Sequence, residues 1–324
     1  MKLRDVLTWK FAFYQGLLPA LRWLGPARAD VILATLGRTS THLWPPRKRR
    51  FASALGHARE SLAHLSPTWD EDSLAPDLSA GSLRFLARDY LLADDKSVTS
   101  LFDVSGEAEL NEALARGRGV VLVGSHFGGH IAAFHWLYRR GIPLRLMVQR
   151  PRHVTRALAR FFDRDEPLPQ SGFFLTRTLD LSRCVSRVLN ARAALRRGGA
   201  VYFPGDIPWN GPNTRPGRFL GRTHRFLSVW ADLAANTAAP IFHVICSHRE
   251  NGRFALRFES AGTITPGQES AAVDRYLARL EIAIAADPAD AVAHLLWPCY
   301  GAVAKTNPCA LARPSRRAAA VSTI

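Results

Sequence analysis

Cysteine is scarce in this 324-residue chain: Cys184, Cys246, Cys299 and Cys309 are widely spaced, with no C-x-x-C pair. Such spacing suggests neither a disulfide framework nor a zinc site, and it fits a reducing compartment. Lysine is nearly missing too. Only Lys2, Lys10, Lys48, Lys96 and Lys305 occur, so arginine carries almost all of the formal net charge of +16. Long apolar runs are lacking as well. The stretch Leu7 to Leu24 is broken by Lys10, Gln15, Pro19 and Arg22, whereas a spanning helix needs roughly 20 predominantly apolar residues. No small-residue cleavage site follows it, so no cleavable signal peptide is expected.

The charge that is present narrows the partners. A surplus of this size favours polyanions: nucleic acid, anionic lipid headgroups or phosphorylated substrates. Nucleic acid is not the expected partner. No helix-turn-helix, zinc-finger or RRM signature occurs, and the basic residues are spread along the whole chain. In the N-terminal stretch Thr8, Gln15 and Arg22 recur every seven positions. They draw a narrow polar stripe on a helix otherwise covered by Trp9, Phe11, Phe13, Leu17, Leu21 and Trp23. A helix of this kind is expected in the membrane interface, with the cluster Arg47-Lys48-Arg49-Arg50 touching anionic headgroups; the alternative is an N-terminal helix packed on the domain's own core.

Residues 1 to about 65 read as helical, with breaks near Gly25-Pro26 and Pro45-Pro46. The polar stretch from Ser66 to Ser82 reads as a loop, followed by a helix from about Leu83 to Leu92. From Gly117 the pattern changes. Gly119 to Gly124, G-V-V-L-V-G, is a short continuous apolar run, as expected of a strand buried on both faces. Helical periodicity through Ala132 to Arg140 and a strand at Pro143 to Val148 complete a β-α-β unit. The alternation continues with a helix at Leu179 to Arg197, a strand at Ala200 to Phe203, a helix at Leu227 to Ala238 and a strand at Pro240 to Ile245. Arg253 to Phe258 pairs with that last strand across Glu250-Asn251-Gly252. A late amphipathic helix covers Ala271 to Ala286. The predicted class is α/β: a mainly parallel central sheet flanked by helices, preceded by an N-terminal helical, membrane-associating segment.

Open parallel sheets bind ligands beyond the carboxyl ends of their strands. Two predicted strands end in titratable side chains. One delivers Ser125-His126-Phe127-Gly128-Gly129-His130, the other Pro204-Gly205-Asp206. If the strands are neighbours, His126 and Asp206 face one cleft. A histidine there can take a proton from a hydroxyl while a carboxylate fixes its tautomer. His130 is an alternative partner for His126. Gly128 and Gly129 leave the backbone open to a close-approaching substrate or oxyanion. A metal ion is not expected, because His135 and His153 have no spacing that supplies a third ligand.

These residues carry a family resemblance. The run from Glu107 through Arg118-Gly119-Val120-Val121-Leu122-Val123-Gly124-Ser125-His126-Phe127-Gly128 resembles the segment leading to the catalytic histidine of the lipid A biosynthesis acyltransferases. So do Val148-Gln149-Arg150-Pro151, then Leu195 through Tyr202-Phe203-Pro204-Gly205-Asp206, and Phe219-Leu220-Gly221. Leu227 to Ala235 and Ala239-Pro240-Ile241-Phe242 are similar to the helix and strand that follow, and Asp287-Pro288 with Trp297 to the C-terminal blocks. The resemblance covers roughly residues 50 to 300. It implies acyl transfer from a thioester (acyl carrier protein or coenzyme A) to a hydroxyl or amine of a lipid or glycolipid acceptor, on the cytoplasmic face of the cytoplasmic membrane. It implies His126 as general base and no cofactor. Arg150, Arg218, Phe219, Gly128 and Gly129 are the expected substrate contacts.

One position departs from the pattern. The superfamily has an acid five residues after the histidine, and here that residue is Ile131. Asp206 is expected to take its place. The alternative is a catalytically degenerate relative that binds lipid at the membrane surface. The expected division is a membrane-associating segment at 1–50, an acyltransferase domain at 51–302 and a disordered tail at 303–324.

Overall fold

The computed structural model describes residues 12–92, 98–149, 173–175, 181–209, 213–297 and 299–300. The expected disordered tail lies outside them, as do Arg150 and the first half of the N-terminal stripe. After a single π-helical turn at Ala12–Leu17 come α1 (Leu18–Trp23), α2 (Gly25–Leu43), α3 (Pro45–Ser61) and α4 (Glu71–Leu92). The helices break at Leu24 and Trp44, beside the two proline-containing breakers read from the sequence.

The α/β portion contains β1 (Phe102–Ser105), α5 (Glu107–Ala115), β2 (Val120–Gly124), α6 (His130–Arg139), β3 (Leu144–Gln149) and β4 (Phe173–Leu175). It continues with α7 (Leu181–Arg196), β5 (Ala200–Pro204), β6 (Thr214–Phe219), β7 (Arg222–Leu227), α8 (Val229–Thr237), β8 (Ile241–His248) and β9 (Phe254–Gly262). Helices α9 (Glu269–Ala286) and α10 (Val292–Leu296) follow. Six strands form the main sheet in the order β1-β9-β8-β2-β5-β3, and β4 extends it beyond β3. Pairing is parallel except between β8 and β9, which form the hairpin expected around Asn251-Gly252. Strands β6 and β7 make a separate antiparallel hairpin.

The central strand β2 is buried throughout. Its alternate residues serve two cores. Val121 and Val123 pack with Val201, Phe203, Trp230, Tyr276 and Leu280, whereas Val120 and Leu122 pack with Leu110, Trp136, Leu137, Ala200 and Tyr202. Side chains alternate across a strand, so a run with no polar position must be covered on both faces.

Helix α4 corrects the expected loop at Ser66 to Ser82. It begins twelve residues earlier than the sequence suggested, with Asp70 Oδ2 accepting the Ser73 backbone N–H at 2.8 Å and Glu71 and Asp72 in its first turn. Acidic residues and a side-chain acceptor favour a helix N-terminus. The small residues that resemble a loop are a close-packing surface. A Cβ on Gly37 of α2 would lie 2.4 Å from the Ala80 Cα, and one on Gly81 would lie 2.2 Å from the Ala289 carbonyl oxygen. A partly buried bidentate ion pair, Arg84 to Asp30 at 2.7 and 2.8 Å, also ties α4 to α2. Gly81→Val forces a branched side chain into fixed backbone, so it should lower stability by about 1–3 kcal/mol, measurable by denaturant unfolding.

The N-terminal helices divide their apolar residues. Phe13, Leu18 and Leu21 are buried with Ala29, Leu33 and Ala87, so this part of the expected membrane face packs on the protein itself. Trp23, Leu24, Val31, Leu36, Leu43 and Trp44 are exposed. Arg47 turns inward, over the Phe51 ring and toward the Ser79 and Ser82 hydroxyls, while Arg49 and Arg50 remain exposed. Among the described residues no helix is long and apolar enough to cross a membrane.

Candidate active site

Strands β2 and β5 are parallel neighbours in register, with Gly124 beside Pro204, so the two chain segments leave the sheet side by side. The Gly205 N–H donates to the Gly124 carbonyl at 2.7 Å, extending the pairing one step past β5. Asp206 follows at once and is fully buried. Its Oδ2 accepts the His126 backbone N–H at 2.7 Å, and its Oδ1 lies 3.1 Å from His126 Nδ1. The carboxylate therefore holds both the main chain and the ring of the same residue.

Two further groups reach this carboxylate from the end of the described chain. His294 Nε2 lies 2.8 Å from Oδ2, and the Tyr300 hydroxyl donates to the same oxygen at 3.3 Å. Burial alone would raise the Asp206 pKa. The charge and hydrogen bond of His126, together with the hydrogen bond and charge of His294, outweigh that effect and hold the carboxyl well below the usual carboxylate range. The hydroxyls of Tyr202, Tyr276 and Tyr300 are pushed well above their ordinary value, by burial first and by the Asp206 charge next.

An ionised carboxylate only accepts, so His126 Nδ1 carries the proton and Nε2 keeps its lone pair. The His126 side chain is 23% exposed, while Asp206 and His294 are closed to solvent. Rings enclose it: His130 at 5.1 Å and Trp297 at 5.3 Å between centroids, with Phe85 of α4 closing the circuit at 5.6 Å from His130 and 5.7 Å from Trp297. His130 thus meets His126 as an aromatic neighbour, and the carboxylate contact belongs to Asp206.

The glycines following His126 do not have the role expected from the sequence. The Gly128 N–H donates to the Asp290 carbonyl at 2.9 Å and the Gly129 N–H to the Cys246 carbonyl at 2.8 Å. Neither amide is left for an oxyanion in this structure. Gly128 has φ +49°, and a Cβ there would lie 2.3 Å from the Cys246 carbonyl oxygen; glycine is required because the loop turns tightly against β8. Asp290 also accepts the backbone N–H of His248 at 2.7 Å and faces its Nδ1 at 2.8 Å. This second His–Asp pair anchors the loop from behind.

Phe219 is fully buried, its ring 5.6 Å from that of His294 and 6.2 Å from that of Tyr300. It packs beneath the carboxylate and presents no open surface to an acyl chain. Arg218 is exposed on β6, near enough to Glu281 to act on its charge. Arg215 is engaged internally, 2.9 Å from Asp232 and 2.9 Å from the Ser228 hydroxyl. Sequence reasoning did not identify His294, Tyr300, Asp290, His248 or Phe85. No local signal marks them: Asp290 ends one short turn, His294 lies in the next helix, and their side chains reach different partners.

A family model described as bacterial lipid A biosynthesis acyltransferase matches residues 87–293. The chain belongs to that family. It is therefore an acyltransferase of lipid biosynthesis, and the matched region runs from within α4 to α10, including His126, Asp206 and Asp290. Among curated proteins none matches the chain.

Proposed function

We infer that the enzyme transfers a fatty acyl group from an acyl thioester, carried on acyl carrier protein or coenzyme A, to a hydroxyl or amine of a lipid-like acceptor. The observation that carries this reading is the contact between His126 Nδ1 and the buried Asp206 carboxylate, 3.1 Å apart, beyond the ends of adjacent parallel strands. His126 Nε2 takes the acceptor proton as the acceptor oxygen or nitrogen attacks the thioester carbonyl. Asp206 stabilises the imidazolium, and the proton then passes to the departing thiolate. The contact also supports turnover over the degenerate, lipid-binding alternative, since Ile131 does not leave the histidine without an acid. Incubating the full chain with acyl-acyl carrier protein or acyl-coenzyme A and membranes containing glycolipid acceptors tests the reading. Acyl label should appear in lipid and free thiol should be released in equal amount. Thiol release without labelled lipid would make it a thioesterase instead.

We also propose that the reaction takes place at the cytoplasmic face of the membrane. Exposed Trp23 and Leu24 ahead of α2, and exposed Leu43 and Trp44 at its far end followed by exposed Arg49 and Arg50, support this reading, because aromatic rings enter the headgroup region and arginines attract anionic lipid. The variant Trp23→Ser/Trp44→Ser/Arg49→Glu/Arg50→Glu should bind anionic vesicles at least 10-fold more weakly, at roughly 1 kcal/mol per basic residue near the surface. Binding of the parent should weaken with salt, because the Debye length is about 8 Å at physiological ionic strength. Sedimentation with phosphatidylglycerol vesicles measures both, and equal binding by parent and variant refutes the placement.

A further inference from the structure

The two oxygens of Asp206 are not equivalent. Oδ2 receives the His126 backbone N–H at 2.7 Å, His294 Nε2 at 2.8 Å and the Tyr300 hydroxyl at 3.3 Å. Oδ1 faces His126 Nδ1 at 3.1 Å, closer than Oδ2, which is 3.2 Å from the same atom. Oδ2 thus collects three further donors, while the ring nitrogen lies within reach of both oxygens. The two histidines that share this carboxylate are not equivalent either. His126 is partly exposed, and its Nε2 can be reached. His294 is fully buried, and its Nδ1 has no hydrogen-bond partner among the described residues.

That asymmetry decides which imidazole can hold a proton. Protonating His294 would place a charged N–H where nothing accepts it, and a buried unsatisfied charged donor is costly. Protonating His126 puts the new N–H at the partly exposed end of the ring. We propose that His294 is a positioning residue: a buried donor that pins Asp206 Oδ2, holds the carboxylate against the His126 ring, and leaves the transferred proton to His126. This rests on the reading of His126 as the base.

Removing the donor has two consequences with one sign. The carboxylate loses a hydrogen bond that disperses its charge, so it holds a proton on His126 more strongly. The base must be unprotonated to act, so activity is lost at higher pH than in the parent. The other titratable groups around His126 do not supply this effect. His130 meets it by ring contact from α6, and Tyr202, Tyr276 and Tyr300 stay neutral under the field of Asp206. The Asp290 carboxylate beyond Gly128 is engaged by His248.

The experiment follows the imidazole resonances of the 15N-histidine-labelled full chain between pH 5 and 9, together with the pH profile of kcat/KM. In the parent, His294 should keep one tautomer, protonated on Nε2, throughout, while His126 titrates. In His294→Phe, the His126 titration and the acid limb of the profile should both move up by about one pH unit. In His294→Gln, which restores an N–H near the same place, both should return to within a few tenths. A His294 that titrates together with His126 in the parent overturns the proposal, even if His294→Phe does not fold. So does a folded His294→Phe with an unmoved His126 titration and merely reduced rate. The resonances report the coupling whether or not His126 is the base, so loss of the catalytic reading shows separately, as undiminished turnover in a His126 variant.

Discussion

His126→Ala should lower kcat/KM for acyl transfer by about 10²- to 10⁴-fold, the usual worth of general-base assistance. Its thermal unfolding should stay within a few degrees of the parent, because the side chain is partly exposed and its ring leans on His130 and Trp297 without being sealed among them. The backbone N–H that binds Asp206 is kept in the variant, so the loop retains its main anchor. The decisive comparison is between rates at saturating donor. A missing base removes an interaction made in the transition state and lowers kcat, whereas a missing binding contact raises KM alone. Equal turnover by variant and parent would remove His126 from the mechanism.

Asp206→Asn should cost a comparable factor, about 10²- to 10⁴-fold in kcat, for a different reason. An amide has one acceptor oxygen and two N–H donors where the native carboxylate offers acceptors alone. The carboxylate faces four donors: the His126 N–H, His126 Nδ1, His294 Nε2 and the Tyr300 hydroxyl. One amide oxygen cannot serve them all. Its N–H groups must oppose other donors or force His126 into the tautomer with the proton on Nε2, which cannot act as a base. The same mismatch should lower stability, because Asp206 is fully buried and unsatisfied buried donors cost about 1–3 kcal/mol each. Adding Ile131→Glu supplies an acid at the superfamily's position and should recover part of the lost rate. Initial rates of thiol release for the single and double variants measure this, and full activity in Asp206→Asn would sink the assignment.

The parts of this molecule that were legible in the sequence are those whose signal is local. Val120 to Gly124 is apolar at every position because both faces of β2 are covered, and a run of that kind can be read without a partner. The β8–β9 hairpin announced itself through Asn251-Gly252, which adopt φ +58° and +68°. Strand β1, only four residues long at the sheet edge, has no such run. The β6–β7 hairpin is built around Arg215, Arg218, Arg222 and Arg225, so no apolar run marks either strand. The start of α4 was misread because the reason for its small residues lies elsewhere in the chain, at Gly37 and Ala289.

The site divides in the same way. The pairing of His126 with Asp206 could be anticipated because both follow strands, and strand ends gather on one side of a parallel sheet. His294 and Tyr300 could not. They stand 88 and 94 residues from Asp206 in the chain, on short elements with no periodicity to place them. Gly128 and Gly129 invite an oxyanion-hole reading in the sequence alone. Their amide protons are already donated to Asp290 and Cys246, a fact that depends wholly on tertiary packing.

The late segment from Asp290 to Tyr300 touches Gly128, His126 and Asp206, all of them much earlier in the chain. During synthesis the strands can pair before these residues leave the ribosome, although one face of the sheet waits for Tyr276, Leu277 and Leu280 of α9 to cover it. The Asp206 carboxylate then lacks His294 and Tyr300, and the loop bearing His126 lacks its tether to Asp290. The shell around the carboxylate is complete only when residue 300 has docked.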